Sequence, residues 1–164
     1  MPLHDGEKTP VESAYDSFSD ILFRIAISYL KNTTDAEDAI QDVFYKYMTS
    51  APKFSNSQQE RAWLIRVTIN RSLDIIRKNK HRHYRPLEEV YDIPSNNNEH
   101  QNNVLKAVYN LPPKYKSAIV LHYLEGFKVE EISKMIGATV SSVKMRLKRG
   151  RDMLKQILEE ENYV

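Results

Sequence analysis

Apolar side chains recur at three- and four-residue steps along most of this chain, and the recurrence lapses once, across residues 79–103. Such steps line side chains along one face of an α-helix, whereas a half-buried strand would alternate every second residue. Tyr15, Phe18, Leu22, Ile25 and Tyr29 form the first stripe, and a polar break at Asn32, Thr33 and Thr34 follows it. Thr34 and Glu37 have the spacing of a capping box, which predicts a second helix whose buried face is Ala36, Ala39, Ile40, Val43 and Tyr47. Pro52 and the polar residues 55–59 predict a loop, and Ala62, Ile65, Ile69, Leu73 and Ile76 mark a third helix over 60–78. Only 4 glycines occur in 164 residues, which also favours helix over sheet.

The lapse carries Pro86, Pro94 and a run of polar residues over 95–103. Such side chains bury too little apolar area to offset chain entropy, so the stretch is expected to be a flexible linker. The expected fold is all-α: two small helical domains, 1–85 and 104–164, joined by a linker at 86–103. Beyond it, Leu111-Pro112-Pro113 opens a helix carrying Ala118, Leu121 and Leu124 that ends at Gly126. Residues 129–147 then have the spacing of a helix-turn-helix. Ile132 and Ile136 face inward, Gly137 permits the turn, Thr139 caps the next helix, and Val143 and Leu147 face inward again. On another face of that last helix, Lys144, Lys148, Arg151 and Lys155 form a cationic stripe flanked by Arg146 and Arg149, suited to phosphates and base edges in a major groove. A plain helical hairpin with a basic exposed face is the simpler alternative.

The formal net charge is only +2, but its distribution is uneven. Acidic residues gather over 35–42 and 159–161, and basic ones over 77–85 and 144–155, so one surface can meet a protein and another DNA. No cysteine is present, which excludes disulfides and thiolate metal sites. His4, His81, His83, His100 and His122 show no metal-ligand spacing, and there is no glycine-rich phosphate loop. No catalytic constellation stands out; no enzyme activity, metal or cofactor is expected. No apolar run approaches the roughly 20 residues of a membrane span, and the start of the chain has no signal-peptide core, so a soluble cytoplasmic protein is expected.

The segments Leu111-Pro112-Pro113-Lys114-Tyr115-Lys116, Glu131-Ile132-Ser133-Lys134-Met135-Ile136-Gly137 and Ser142-Val143-Lys144-Met145-Arg146-Leu147-Lys148-Arg149-Gly150-Arg151 closely resemble region 4 of the extracytoplasmic-function sigma factors. Ser133, Ser142, Met145 and Gly150 depart from the usual alanine, threonine, serine and alanine of that family. The resemblance implies that Thr139, Ser142, Lys144, Met145, Lys148 and Arg149 approach the −35 promoter element, with Arg146 on phosphate. Met145 leaves the sequence preference there open.

The resemblance extends to Asp35-Ala36-Glu37-Asp38-Ala39-Ile40-Gln41-Asp42-Val43-Phe44, which is similar to region 2.2. It implies that Asp35, Glu37, Asp38, Gln41, Asp42 and Phe44 dock on the β′ coiled coil of core RNA polymerase. Spacing alone puts Asp35, Asp38 and Asp42 on one face, away from the apolar stripe. A helix dipole would also collect acidic residues at this N-terminus, though it does not account for Asp42. The third helix and the loop before it are similar to regions 2.3 and 2.4, which implies capture of the separated −10 strand by Phe54, Ser55, Asn56, Trp63, Arg66, Asn70 and Arg77. Stacking, base-edge bonding and phosphate neutralisation are what such capture requires. A lone tryptophan serves as ordinary core at least as often. The family further implies contact with the polymerase β flap, promoter DNA as ligand, and an anti-sigma factor that could hold the protein at a membrane without membrane insertion of its own. Two other readings stay open on residues alone: a helix-turn-helix regulator that never joins polymerase, and a protein that only sequesters a partner.

Overall fold

A computed structural model describes residues 6–80 and 99–160. The described residues are helical with short connections. In chain order the helices are α1 (Pro10–Leu30), α2 (Thr33–Ser50), α3 (Ser57–Asn79), α4 (Glu99–Tyr109), α5 (Pro113–Ile119) continued by a π-helical turn (Val120–Leu124), α6 (Val129–Ile136) and α7 (Val140–Glu160). Most of the expected linker, with His81, His83 and the basic residues Arg82 and Arg85, lies outside the described residues. Residues 99–103, expected to belong to that linker, are the first turn of α4.

Helices α1–α3 pack as a three-helix group around Leu22, Ile25, Val43, Leu64 and Ile65, each at most 1% exposed. The buried stripe of α1 takes in Ala14 and leaves Tyr15 half-exposed, its ring resting 5.1 Å from that of Phe44. The start of α2 departs from the expected capping box. Asn32 is the cap, its Oδ1 accepting the Asp35 amide at 3.1 Å, one residue pair earlier than Thr34 and Glu37 would place it. Asparagine ranks above threonine as a cap, and the chain uses the better residue. In α3 the buried side is Leu64, Ile65, Thr68, Ile69 and Ser72, turned away from the expected Ala62. Thr68 and Ser72 are tolerated inside because their hydroxyls donate 2.8 Å bonds to the carbonyls four residues back.

In the second group, α5 and α7 pack around Ile119, Leu121, Val143 and Leu147. The π turn after α5 swings Leu124 to the surface, where a regular helix would have kept it beside Leu121. Gly126, at φ 76°, then reverses the chain. The turn between α6 and α7 follows the sequence reading: Gly137 ends α6 at φ 66°, and the Thr139 hydroxyl accepts the Ser142 amide at 3.1 Å. Gly150 has a separate reason to lack a side chain. A Cβ there would sit 2.7 Å from Cγ1 of Ile119.

The two groups also pack on each other. The guanidinium of Arg24 in α1 grips both carboxylate oxygens of Glu125 at 2.9 and 3.0 Å. Tyr29 hydrogen-bonds Ser117, and Lys31 donates to the Asn110 side chain at 3.1 Å.

Candidate nucleic-acid interface

The cationic face of α7 stands free of the core. Lys144, Met145, Lys148 and Arg149 are exposed, while Val143, Leu147 and Gly150 on the opposite side are buried. Three- and four-residue steps set both stripes, so burial of one presents the other. Ser142 and Thr139 hold the first turn through the cap, and Thr139 remains exposed. Arg146 is half-buried and turned toward α3, with its Nε shielded from solvent and unpaired.

The aromatic residues of the expected strand-capture surface pack on one another. Trp63 packs edge-on against Tyr47 at 5.9 Å, and Phe54 lies 5.8 Å from Trp63 and 6.1 Å from Tyr47. Phe54 and Trp63 are thus half-buried members of a three-ring cluster with Tyr47 that packs against the core. The Tyr47 hydroxyl donates to Glu60 at 2.9 Å; burial first, then that carboxylate, pushes the phenol up to about 12. Asn56 caps α3, its Oδ1 accepting the Gln59 amide at 2.9 Å, and the amide of Ser55 donates to Gln59 Oε1. Asn70 is exposed on α3, and Arg77 pairs with Asp74 at 3.5 Å. Asn56 and Asn70 line separate clefts, of about 330 and 490 Å³, each between α3 and the helix-turn-helix.

The acidic face of α2 exposes Glu37, Asp38, Gln41 and Asp42, with Asp35 half-buried at the cap. Two of these residues are engaged within the chain. Phe44 is 7% exposed and packs on Tyr15, because it falls on the core side of the helix next to Val43. Asp42 has a partner within the chain, accepting from Arg71 Nε at 2.7 Å. Sequence reasoning missed Tyr45 and Met48, 65% and 59% exposed, which continue the Asp38–Gln41 face at the next two steps of four and three. That register is readable in the sequence, since Tyr45 follows Gln41 by four residues and Met48 follows Tyr45 by three. Tyr123 and Leu124 form a second apolar exposure beside the π turn, at 52% and 43%.

Among the described residues no group of histidine, cysteine and carboxylate side chains could hold a metal ion, and no helix is long and apolar enough to cross a membrane.

Comparison with known proteins follows the same division. The Sigma-70 region 2 family matches residues 14–82, and the Sigma-70 region 4 family matches residues 101–154. The chain is 28% identical over 142 residues to the RNA polymerase sigma factor SigV of Bacillus subtilis, covering 85% of this chain and 86% of that one. It is 26% identical over 172 residues to the ECF RNA polymerase sigma factor SigW of the same organism, covering 94% and 92%. The fold is that of the sigma factor RpoE of Bartonella quintana, solved in complex with the anti-sigma factor NepR, at a TM-score of 0.68 and 21% identity over 90% of this chain and 95% of that one.

Proposed function

This chain belongs to the extracytoplasmic-function sigma factors of bacterial RNA polymerase, and from that premise we propose which of its surfaces does which part of the work. It directs core polymerase to specific promoters and helps open the −10 region. The observation that carries the assignment of surfaces is the exposure of one cationic face on α7 and one acidic, apolar-tipped face on α2, at opposite stages of the chain.

The α2 face, Glu37, Asp38 and Gln41 followed by Tyr45 and Met48, docks on the β′ coiled coil. Acidic groups select a basic partner and speed encounter, and the two exposed apolar side chains supply contact area. Asp35 and Asp42 border this face, while Phe44 supports it from beneath. Lys144, Lys148 and Arg149 reach the −35 duplex from α7, with Thr139 and Ser142 fixing the helix start and Met145 offering an apolar contact such as a thymine methyl. Arg66, Asn70 and Arg77, on α3, take the −10 strand, beside the ring cluster of Phe54 and Trp63 and the loop residues Ser55 and Asn56. Each opened base costs a few kcal/mol, so polar and stacking groups must reward it. Tyr123 and Leu124 are the apolar patch offered to the β flap. An anti-sigma factor would compete for these surfaces. RNA synthesis itself belongs to polymerase; this chain supplies binding and orientation in the cytoplasm.

The test is association with purified core polymerase, with Asp38→Arg as the probe. The wild-type chain should co-elute with core and support promoter-specific transcripts; the variant should bind core at least about tenfold more weakly at unchanged helical content. Duplex binding without any association with core would instead favour the stand-alone regulator.

A further inference from the structure

The cleft of about 490 Å³ beside Asn70 draws its lining from α3, α5, the α6–α7 turn and α7. Sites for small molecules run from about 300 to 1,000 Å³, with mostly apolar walls and a few polar groups that fix orientation. This cleft is built that way. Ile69 and Leu73 of α3 and Met135 and Ile136 of α6 give it apolar walls. Its charged groups are all of one sign: Arg66, Lys114 and Arg146 reach it from three different helices, and no carboxylate lines it.

The three cations are placed but not neutralised. Arg66 donates from Nε to the Met135 carbonyl at 3.1 Å and from a terminal nitrogen to the Lys134 carbonyl. Those acceptors are neutral, so they orient the guanidinium without cancelling its charge. The Nε of Arg146 is buried and has no hydrogen-bond partner, an arrangement that costs free energy until an acceptor meets it. Lys114 is exposed, its ammonium 6.0 Å from the centre of the Tyr115 ring. Neither Lys114 nor Arg146 forms an ion pair among the described residues. Positive charge held beside apolar walls attracts an anion more strongly than the same charge spread over open surface.

Charge and shape select the class of ligand. One carboxylate would neutralise one cation, whereas a phosphate monoester carries about −1.5 to −2 near neutral pH and offers three strong acceptor oxygens. Guanidinium forks match such oxygens in pairs. Inorganic phosphate would leave the apolar walls in water; a ring attached to the phosphate would cover them. Asn70 can both donate to and accept from the edge of that ring. We propose that this cleft is a binding site for a nucleoside phosphate, with its phosphate on Arg146 and Lys114 and its base against the apolar walls and Asn70. Arg66 adds a fixed positive charge. Arg66 and Asn70 are also the residues assigned to the −10 strand, so bound nucleotide and opened strand exclude one another. That consequence, unlike the site itself, rests on the assignment of the strand face.

Isothermal titration calorimetry of the full chain with ADP, inorganic phosphate and adenosine tests the site. One ADP should bind per chain, and phosphate and adenosine should each bind at least about tenfold more weakly, since each keeps only part of the contacts. Arg146→Met should weaken ADP about tenfold and the exposed Lys114→Met about threefold, both at unchanged helical content. Lys155→Met, which removes an exposed cation outside the cleft, should leave ADP affinity unchanged. Absence of ADP binding would overturn the proposal, as would equal ADP affinity in all three variants. Phosphate binding as tightly as ADP would overturn it too, because the apolar walls and Asn70 would then contribute nothing. A labelled random-sequence DNA single strand, followed by fluorescence anisotropy, separates the site from its consequence. ADP should displace the strand from the unaltered chain. ADP that binds in the calorimeter and displaces no strand would remove Arg66 and Asn70 from the strand face and leave the nucleotide site standing.

Discussion

Gly150 shows how a single departure from the family pattern is tied to its neighbour. Alanine is the usual family residue, and in a helix interior it is worth about 1 kcal/mol over glycine. Here a Cβ would meet Ile119 at 2.7 Å, and the atom it meets is Cγ1, close to the branch and not a free end. Gly150→Ala is therefore expected to destabilise the chain by about 1–3 kcal/mol in chemical denaturation, despite its better helix propensity. In an Ile119→Ala background the same change should become neutral or stabilising, a coupling that a double-mutant cycle reads directly. Lys116 makes a second prediction at this scale. It is 3% exposed, facing the Tyr29 ring at 5.3 Å with Lys31 nearby, and burial followed by Lys31 pushes its ammonium down to about 7 from 10.5. Above that folded value the unfolded chain still holds the proton that the folded chain has released. Stability should rise with pH from about 7 until Tyr29, buried and raised to about 12, begins to oppose it above its unfolded value near 10. Below pH 7 the cost of the buried charge is present in full. Lys116→Met should flatten that rise and stabilise the chain at pH 7 by about 1–3 kcal/mol, measured by thermal and urea unfolding.

Among the elements, helix starts separate what periodicity can say from what it cannot. Two caps were available to α2, and the structure uses Asn32. Asn32→Ala is expected to cost about 1 kcal/mol and Thr34→Ala only a few tenths, in the same denaturation assay. Element order, the turn at Gly137 and its Thr139 cap were all legible, because each rests on residue types with one strong local preference. The inner face of α3 was less so. Thr68 and Ser72 are polar and carry no apolar signal, and only their bonds to carbonyls four residues back let them be buried. A π turn has no short sequence signature, so the exposure of Leu124 had no warning. The cationic face of α7 was readable in full, since the same spacing that buries Val143 and Leu147 exposes Lys144 and Lys148.

At the scale of the molecule, the contacts between domains were beyond sequence reasoning. Lys116 and Ser117 look like surface residues of α5 and are buried because α1 lies over them, through Tyr29. Arg66 looked like a strand contact and is turned onto a carbonyl pair in α6. Nothing local records a surface that another domain covers. The central claim remains that one chain brings polymerase to a promoter and reads it at two separated places, and mapped transcript starts test it most directly. Core polymerase, the chain and fragmented genomic DNA should yield a set of starts whose upstream sequences align on two motifs, one near −10 and one near −35. Lys148→Ala should lower transcription from all of them by roughly tenfold and steepen their loss of motif at −35, while Asn70→Ala should change preference at −10 alone. Starts that do not depend on the chain, or that share a single motif unaffected by both substitutions, would contradict it.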